Sequence, residues 1–307
     1  MGNLVTLKTG GQTVHHLLFF LATILLSSGP VTSVCAAQGP KVGPPKVVSP
    51  DTPPDIRSAS ALVVNQSDGE VIFDKQSDRV QPIASITKLM TAMVVLDAQL
   101  PLDDRITITE EDRDLKKGTH SRLWIGTELS RREMLHVALM ASENRAAAAL
   151  SRAYPGGREA FIEAMNKKAA SLGMWQSEFA DSTGLSSDNV STARDLAKMV
   201  AAAYEYPLIR ELSTDTGAIV RSKGRPVQYG NSNLLVRGKD WDIGLSKTGY
   251  ISEAGRCLVM QATVAGTPVI MVLLHSWGTL TRIGDANRLR RWMEALAQKK
   301  KKTALSR

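Results

Sequence analysis

The chain has 307 residues, enough for one large domain or two small lobes with a sizeable core. Its formal net charge is +8, but Lys8 and the five positive charges of the tail "KKKKTALSR" supply six of these. The body therefore stands near +2 and lacks the spread of Lys and Arg over one face that a nucleic-acid binder needs, so no nucleic acid partner is expected.

Residues 1–37 read as a secretory leader. Lys8 is their only charged residue, the apolar run "LLFFLATILL" follows, and the segment closes on the small residues of "TSVCAAQ". The run is shorter than the roughly 20 residues a spanning helix needs, so cleavage after Ala36 or Ala37 is expected in place of an anchor. Val34 before Cys35 is bulkier than lipoprotein processing takes. Loss of the leader leaves Cys257 as the one cysteine, expected to be buried and inert in "RCLVMQATV". Residues 38–57 are Pro-rich and read as an extended tether.

Order is expected from Ser58. Two β-like runs around Ser67-Asp68-Gly69 predict a hairpin. In "PIASITKLMTAMVV" an apolar helix follows, with Leu89, Met93 and Leu96 on helical spacing. Ser130 and Glu133 form a capping-box pair before a helix that runs into the alanine-rich "ASENRAAAALSRAY". Phe161, Met165, Ala169 and Leu172 share a helical face that stops at Gly173, and Thr192 with Asp195 caps a helix ended by Pro207. After residue 215, "WDIGLSKTGYI", "RCLVMQATVAG" and "TPVIMVLLHS" are β-like, the last two joined at Gly266. A final helix carries Ile283, Leu289, Trp292, Met293 and Leu296 towards the sheet. Strands at both ends of a helical middle predict an α+β protein whose sheet draws on both ends of the chain. The basic tail, residues 299–307, is either a frayed, solvated end or a weak electrostatic contact with anionic lipid or wall polymer.

Metal and phosphate chemistry find no motif: there is no His-Glu-x-x-His, no paired cysteine and no Gly-rich phosphate loop, so neither metal nor cofactor is expected. His136 reads as structural, and no Gly-x-Ser-x-Gly elbow supports a Ser-His-Asp triad. What remains is Ser85 with Lys88, three apart and on one helical face. A lone Ser-x-x-Lys arises by chance about once in a chain this long, and Ser85 would serve equally as a helix N-cap. Ser142-Glu143-Asn144 lies 57 residues on, and Lys247-Thr248-Gly249 another 105 on.

Ser-x-x-Lys, Ser-x-Asn and Lys-Thr-Gly in this order resemble the signature set of penicillin-recognising serine enzymes. "MNKKAASLGMWQSEFADSTGLSSDNVSTARDLAKM" and "GLSKTGYISEAGRCLVM" are similar to segments of the low-molecular-mass D-alanyl-D-alanine peptidases. "NSNLLVRGKDWDIGLSKTGY" resembles the endopeptidase branch, the penicillin-binding protein 7 type. The resemblance covers nearly all of residues 58–297. It implies the serine β-lactamase/penicillin-binding (DD-peptidase) fold, an antiparallel sheet flanked by helices with a helical lobe, over a catalytic domain of residues 58–298. The chain ends soon after its last predicted helix, so the separate C-terminal β domain and membrane-binding helix of the major carboxypeptidases are expected to be missing.

The resemblance also implies roles. Ser85 is the nucleophile that forms an acyl-enzyme on a D-Ala bond, and Lys88 takes its proton. Burial and the positive Lys247 are expected to favour the neutral form of Lys88; a fall of about three pKa units corresponds to roughly 4 kcal/mol. Ser142 relays the proton to the leaving amine and Asn144 holds the substrate amide. Lys247 and Thr248 position the substrate and its carboxylate, and Gly249 lets substrate backbone lie against the strand. The main-chain N–H groups of Ser85 and Tyr250 form the oxyanion hole. The expected partners are peptidoglycan stem peptides, with β-lactams as covalent inhibitors, and a leader, tether and wall substrate together imply the periplasm.

Four activities share these motifs. Cleavage of D-alanyl cross-links stands first, on the branch-level resemblance, and a carboxypeptidase removing terminal D-Ala is the alternative. A class A-like β-lactamase needs a Glu-x-x-x-Asn loop; Glu163 and Asn166 are only three apart and lie in the amphipathic helix. A wall-binding or penicillin-sensing module would have no need of a neutral lysine beside a serine.

Overall fold

Of the three apolar runs near the C-terminus, the second and third lie inside a sheet with both faces covered, and the first forms one edge of that sheet. The computed structural model describes residues 49, 51–238 and 240–305; the expected leader, most of the tether and the last two residues of the tail lie outside the described residues. Strands β1 (Ser60–Asn65) and β2 (Val71–Lys75) form the predicted hairpin, with Gly69 in the left-handed conformation its turn requires. Next come the short β3 (Gln81–Pro82), a 3-10 turn (Ala84–Thr87) and helix α1 (Lys88–Asp97). The middle of the chain gives β4 (Arg105–Thr107), β5 (Glu128–Ser130), α2 (Arg131–Met140), α3 (Asn144–Arg152) and α4 (Gly157–Ser171). It continues with β6 (Val190–Ser191), α5 (Ala193–Tyr204) and α6 (Pro207–Thr214). Then follow β7 (Gly217–Ser222), β8 (Arg225–Gly230), the one-turn α7 (Leu234–Arg237) and the long strands β9 (Asp242–Ile251), β10 (Gly255–Val264) and β11 (Thr267–Ser276). Helix α8 spans Thr281–Leu305.

The main sheet is antiparallel, in the order β2-β1-β11-β10-β9, so early and late strands of the described residues complete it together. The register sets Leu62 opposite Val272, Val272 opposite Val259 and Val259 opposite Lys247. Successive residues face opposite sides of a strand, and this splits the apolar residues into two layers. Leu62, Val259 and Val272 face the helical lobe, while Val63, Met260 and Met271 face Leu289, Trp292 and Met293 of α8. The packing face predicted for the last helix is the one observed.

Helix α1 explains how the helical lobe is organised. Eight of its ten residues are buried, because "KLMTAMVV" offers no polar face to solvent. The helix therefore runs through the centre of the lobe, and its first residue, Lys88, starts out buried. The capping box of Ser130 and Glu133 opens α2, and Thr192 accepts the Asp195 N–H to open α5, both as the sequence predicts.

Four features differ from expectation. Ser85 is not an N-cap: it lies inside the 3-10 turn, and its hydroxyl caps nothing. Pro207 does more than end a helix, since it also occupies the first turn of α6, where its missing N–H costs no hydrogen bond. A further hairpin, β7–β8, turns on Lys223-Gly224, both at positive φ, a two-residue turn that the sequence offers without Asn or Asp. Ile56, within the stretch assigned to the tether, is buried, and the Asp285 carboxylate accepts the N–H groups of Arg57 and Ser58 at 3.0 and 2.7 Å. In the tail, α8 continues as a helix through Leu305 with its last residues exposed.

Candidate active site

The nucleophile candidate is held by a strained turn under pressure from two glycines. Ala84, just before Ser85, has φ +48°. Gly184 presses on this turn so closely that a Cβ there would stand 2.0 Å from the Ala84 carbonyl oxygen. Gly249 in β9 presses from the other side, where a Cβ would lie 2.9 Å from Ile83 O and 3.1 Å from Ser85 N. Glycine at 249 thus lets β9 pack on the Ser85 segment, a packing need separate from any contact with substrate. The strand pair β3–β6 ties the same segment to the chain that follows Gly184.

Lys88 Nζ is fully enclosed and has three oxygen neighbours: Ser85 Oγ at 2.8 Å, Asn144 Oδ1 at 2.7 Å and Thr183 O at 2.6 Å. The last two can only accept. A neutral amine has two N–H groups to donate to them, which leaves its lone pair for the Ser85 hydroxyl. Burial lowers the Lys88 pKa from 10.5 to about 7, against the opposing pull of Asp181 and Glu143. The depression expected from the sequence is present, and its cause is desolvation.

The other two motifs meet directly. Lys247 Nζ donates to Ser142 Oγ and to Thr248 O, both at 2.9 Å. Burial, the neighbouring Lys88 and then Arg282 all push the Lys247 pKa well down. Ser142 sits in the α2–α3 turn at φ +63°, a strained conformation fixed by a buried neighbourhood. Thr248 shares a hydrogen bond of 2.7 Å with the Ser232 hydroxyl. Tyr250 is 57% exposed, with the Arg256 guanidinium 4.6 Å from its ring centre. All eight candidate residues are therefore brought together in space, linked by these contacts, by the approach of Gly249 to Ser85 and by their succession along β9.

Sequence reasoning missed the scaffold around them. Asp181 accepts from the N–H groups of Thr183, Gly184 and Ser186 and from the Thr183 hydroxyl, and so fixes the carbonyl that binds Lys88. Burial would raise the Asp181 pKa, but these donors hold it below its ordinary value. Glu143 accepts from the Tyr229 hydroxyl at 3.1 Å, and Asn144 Nδ2 donates to Thr119 Oγ1 at 3.0 Å. The "DSTG" of residues 181–184 carried a legible signal, an Asp poised to accept main-chain N–H groups two and three residues on.

Other groups stay out of the chemistry. Glu163 is exposed and pairs with Lys167, while Asn166 holds the backbone of Phe179, so neither supplies a deacylating base. His136 lies 3.1 Å from Asp215, and Cys257 is buried with its thiol pKa pushed up to about 11 by desolvation.

The chain as a whole matches known enzymes. The family profile described as D-alanyl-D-alanine carboxypeptidase, peptidase S11, matches residues 46–277. The chain belongs to this family. It is 46% identical over 283 residues to a D-alanyl-D-alanine endopeptidase of Pseudomonas aeruginosa, covering 92% of this chain and 89% of the relative. It is 47% identical over 263 residues to the D-alanyl-D-alanine endopeptidase of Escherichia coli K12, covering 82% and 85%. The Streptomyces K15 DD-transpeptidase crystal structure superposes with a TM-score of 0.73 at 28% identity, over 78% of this chain and 98% of that one. The protein is thus a serine hydrolase with the penicillin-binding DD-peptidase fold.

Proposed function

We propose that this enzyme cleaves the D-alanyl cross-links between peptidoglycan stem peptides through an acyl-enzyme on Ser85. The observation that carries the reading is the 2.8 Å contact of Ser85 Oγ with a lysine whose pKa is lowered to about 7. Ser85 Oγ attacks the D-Ala carbonyl carbon while its proton passes to Lys88 Nζ. The N–H groups of Ser85 and Tyr250 receive the oxyanion, since β9 lies against the Ser85 segment at Gly249. The C–N bond then breaks as Ser142, hydrogen-bonded to Lys247, relays the proton held on Lys88 to the leaving amine, which returns Lys88 to its neutral form. Asn144 orients the substrate amide, and Lys247 and Thr248 face the carboxylate on the leaving side. Water then attacks the ester, its proton passing to the neutral Lys88 and from there to Ser85 Oγ as the ester C–O bond breaks.

The names of the 46% and 47% identical relatives favour endopeptidase over carboxypeptidase. β-Lactams acylate the same serine and leave slowly, since the Asp181 carboxylate is occupied by four donors and Glu163 points away to Lys167. Residues 1–37 act as a cleaved leader into the periplasm and the Pro-rich stretch that follows as a tether, with the catalytic domain beginning at the buried Ile56 rather than at residue 58. The basic tail gives a weak contact with anionic lipid or wall polymer. Among the described residues no helix is long and apolar enough to cross a membrane.

Digestion of purified peptidoglycan, with products resolved by mass, tests the reading. Conversion of cross-linked dimers to monomers by the parent and not by Ser85→Ala is the expected result. Loss of single alanines alone would make it a carboxypeptidase, and no change would make it a binder.

A further inference from the structure

Beside Arg145, the residue that follows Asn144, lies an open groove of about 650 Å³ whose lining contains no acidic residue. One wall is the segment that includes His120, Arg122 and Trp124, together with Arg145; the other is the β7–β8 hairpin with Lys223. Among the described residues, none of Arg122, Arg145 and Lys223 is in an ion pair. Arg122 donates to Gln228 O at 2.7 Å with its guanidinium 3.9 Å from the Tyr229 ring centre, and Arg145 donates to Leu123 O at 2.6 Å. These neutral partners orient the two guanidiniums without cancelling their charge. Lys223 reaches across from the hairpin, its Cε 3.3 Å from where a Cβ on Gly126 would stand. Trp124 is 62% exposed beside them.

Three cations outside any ion pair, around an exposed indole, suit an acidic peptide, with carboxylates on the cations and apolar side chains on the ring. Both walls of the groove are also directly continuous in the chain with residues of the candidate site. Arg145 directly follows Asn144, whose side chain is bonded to Thr119 just ahead of His120. On the other wall, β8 runs on through Asn231 to Ser232, the partner of Thr248. We propose that this groove binds the stem peptide on the leaving side of the cross-link through its free carboxylates, and so makes the enzyme prefer cross-linked over single-stem substrates. The inference rests on the cross-link-cleaving reading above. A single stem ends at its terminal D-Ala and leaves the groove empty, whereas a cross-link supplies the second, acidic stem.

The test compares steady-state cleavage of a soluble cross-linked muropeptide dimer and of a single-stem pentapeptide by the mature protein, by Lys223→Glu and by Trp124→Ala. The ratio of dimer KM to pentapeptide KM should rise about five-fold in Lys223→Glu, mostly through KM and not kcat, and fall back towards parent at high salt. Trp124→Ala should raise the same ratio without the salt dependence. In the parent, added salt should raise KM for the dimer more than for the pentapeptide, a readout that needs no variant to fold. Acylation by labelled penicillin reports that each variant is folded. A ratio within two-fold of parent in both variants, with no selective salt effect in the parent, overturns the groove while leaving cross-link cleavage standing. The groove also falls if the variants reduce only retention on whole, insoluble wall, which would point to an anionic wall polymer. A parent that cleaves the pentapeptide and no dimer overturns the underlying reading instead.

Discussion

The main-chain oxygen of Thr183 lies 2.6 Å from Lys88 Nζ, and with Asn144 Oδ1 at 2.7 Å it takes up the two N–H groups that a neutral lysine has to give. The lone pair is thereby turned to Ser85. With the pKa lowered to about 7 by burial, the amine is substantially neutral at physiological pH. Titration of Lys88 Nζ by NMR in the free enzyme should give a midpoint near 7, in place of the ordinary 10.5.

The same depression sets a stability change with pH. Unfolded Lys88 titrates near 10.5 and folded Lys88 near 7, so between these values the unfolded chain binds more protons. The contribution of this group to unfolding free energy therefore rises with pH from about 7 to about 10.5, and its cost is fully present below 7. Lys88→Met removes that cost. Chemical denaturation at pH 7 should show a gain of about 1–3 kcal/mol, less than the roughly 4 kcal/mol implied by the shift, because Asn144 Oδ1 and Thr183 O lose a donor. The gain should shrink by pH 10.

Asp181 acts on Lys88 by charge and on Thr183 by geometry. Asp181→Asn removes the negative charge that supports the protonated lysine, so the Lys88 midpoint should move to lower pH. It also replaces an acceptor of four donors, and unfolding free energy should drop by about 2–3 kcal/mol. Pairing NMR titration with denaturation separates the two effects.

Gly184 tests the strained turn. A Cβ there would meet Ala84 O at 2.0 Å and Ser85 N at 2.9 Å, and φ +78° already disfavours any side chain. Gly184→Ala should cost about 2–4 kcal/mol in stability and at least ten-fold in acylation by labelled penicillin. Gly224→Ala, also at positive φ but with open space around it, should cost about 1 kcal/mol and leave acylation within two-fold.

Much of this was legible in the sequence because periodicity and motif spacing report local rules. The apolar runs of β10 and β11, the capping box at Ser130, the N-cap at Thr192 and the three motifs all depend on near neighbours. What escaped depends on contacts across long separations. Asp181 matters through a carbonyl that meets a lysine 95 residues away, and Ser232 through a threonine 16 residues on. The hairpin turn at Lys223-Gly224 lacks the usual Asn or Asp, and the packing role of Gly249 appears only when β9 meets Ile83 and Ser85.

The most direct test of Lys88 as the base is the second-order rate of Ser85 acylation by a penicillin, measured from pH 5 to 10 in the parent and in Lys88→Arg. The parent rate should rise about ten-fold per pH unit and level off above a midpoint near 7, while Lys88→Arg, permanently charged, should be at least a thousand-fold slower across the range. A parent profile that is flat from pH 5 to 9, or one that Lys88→Arg reproduces, would contradict the account.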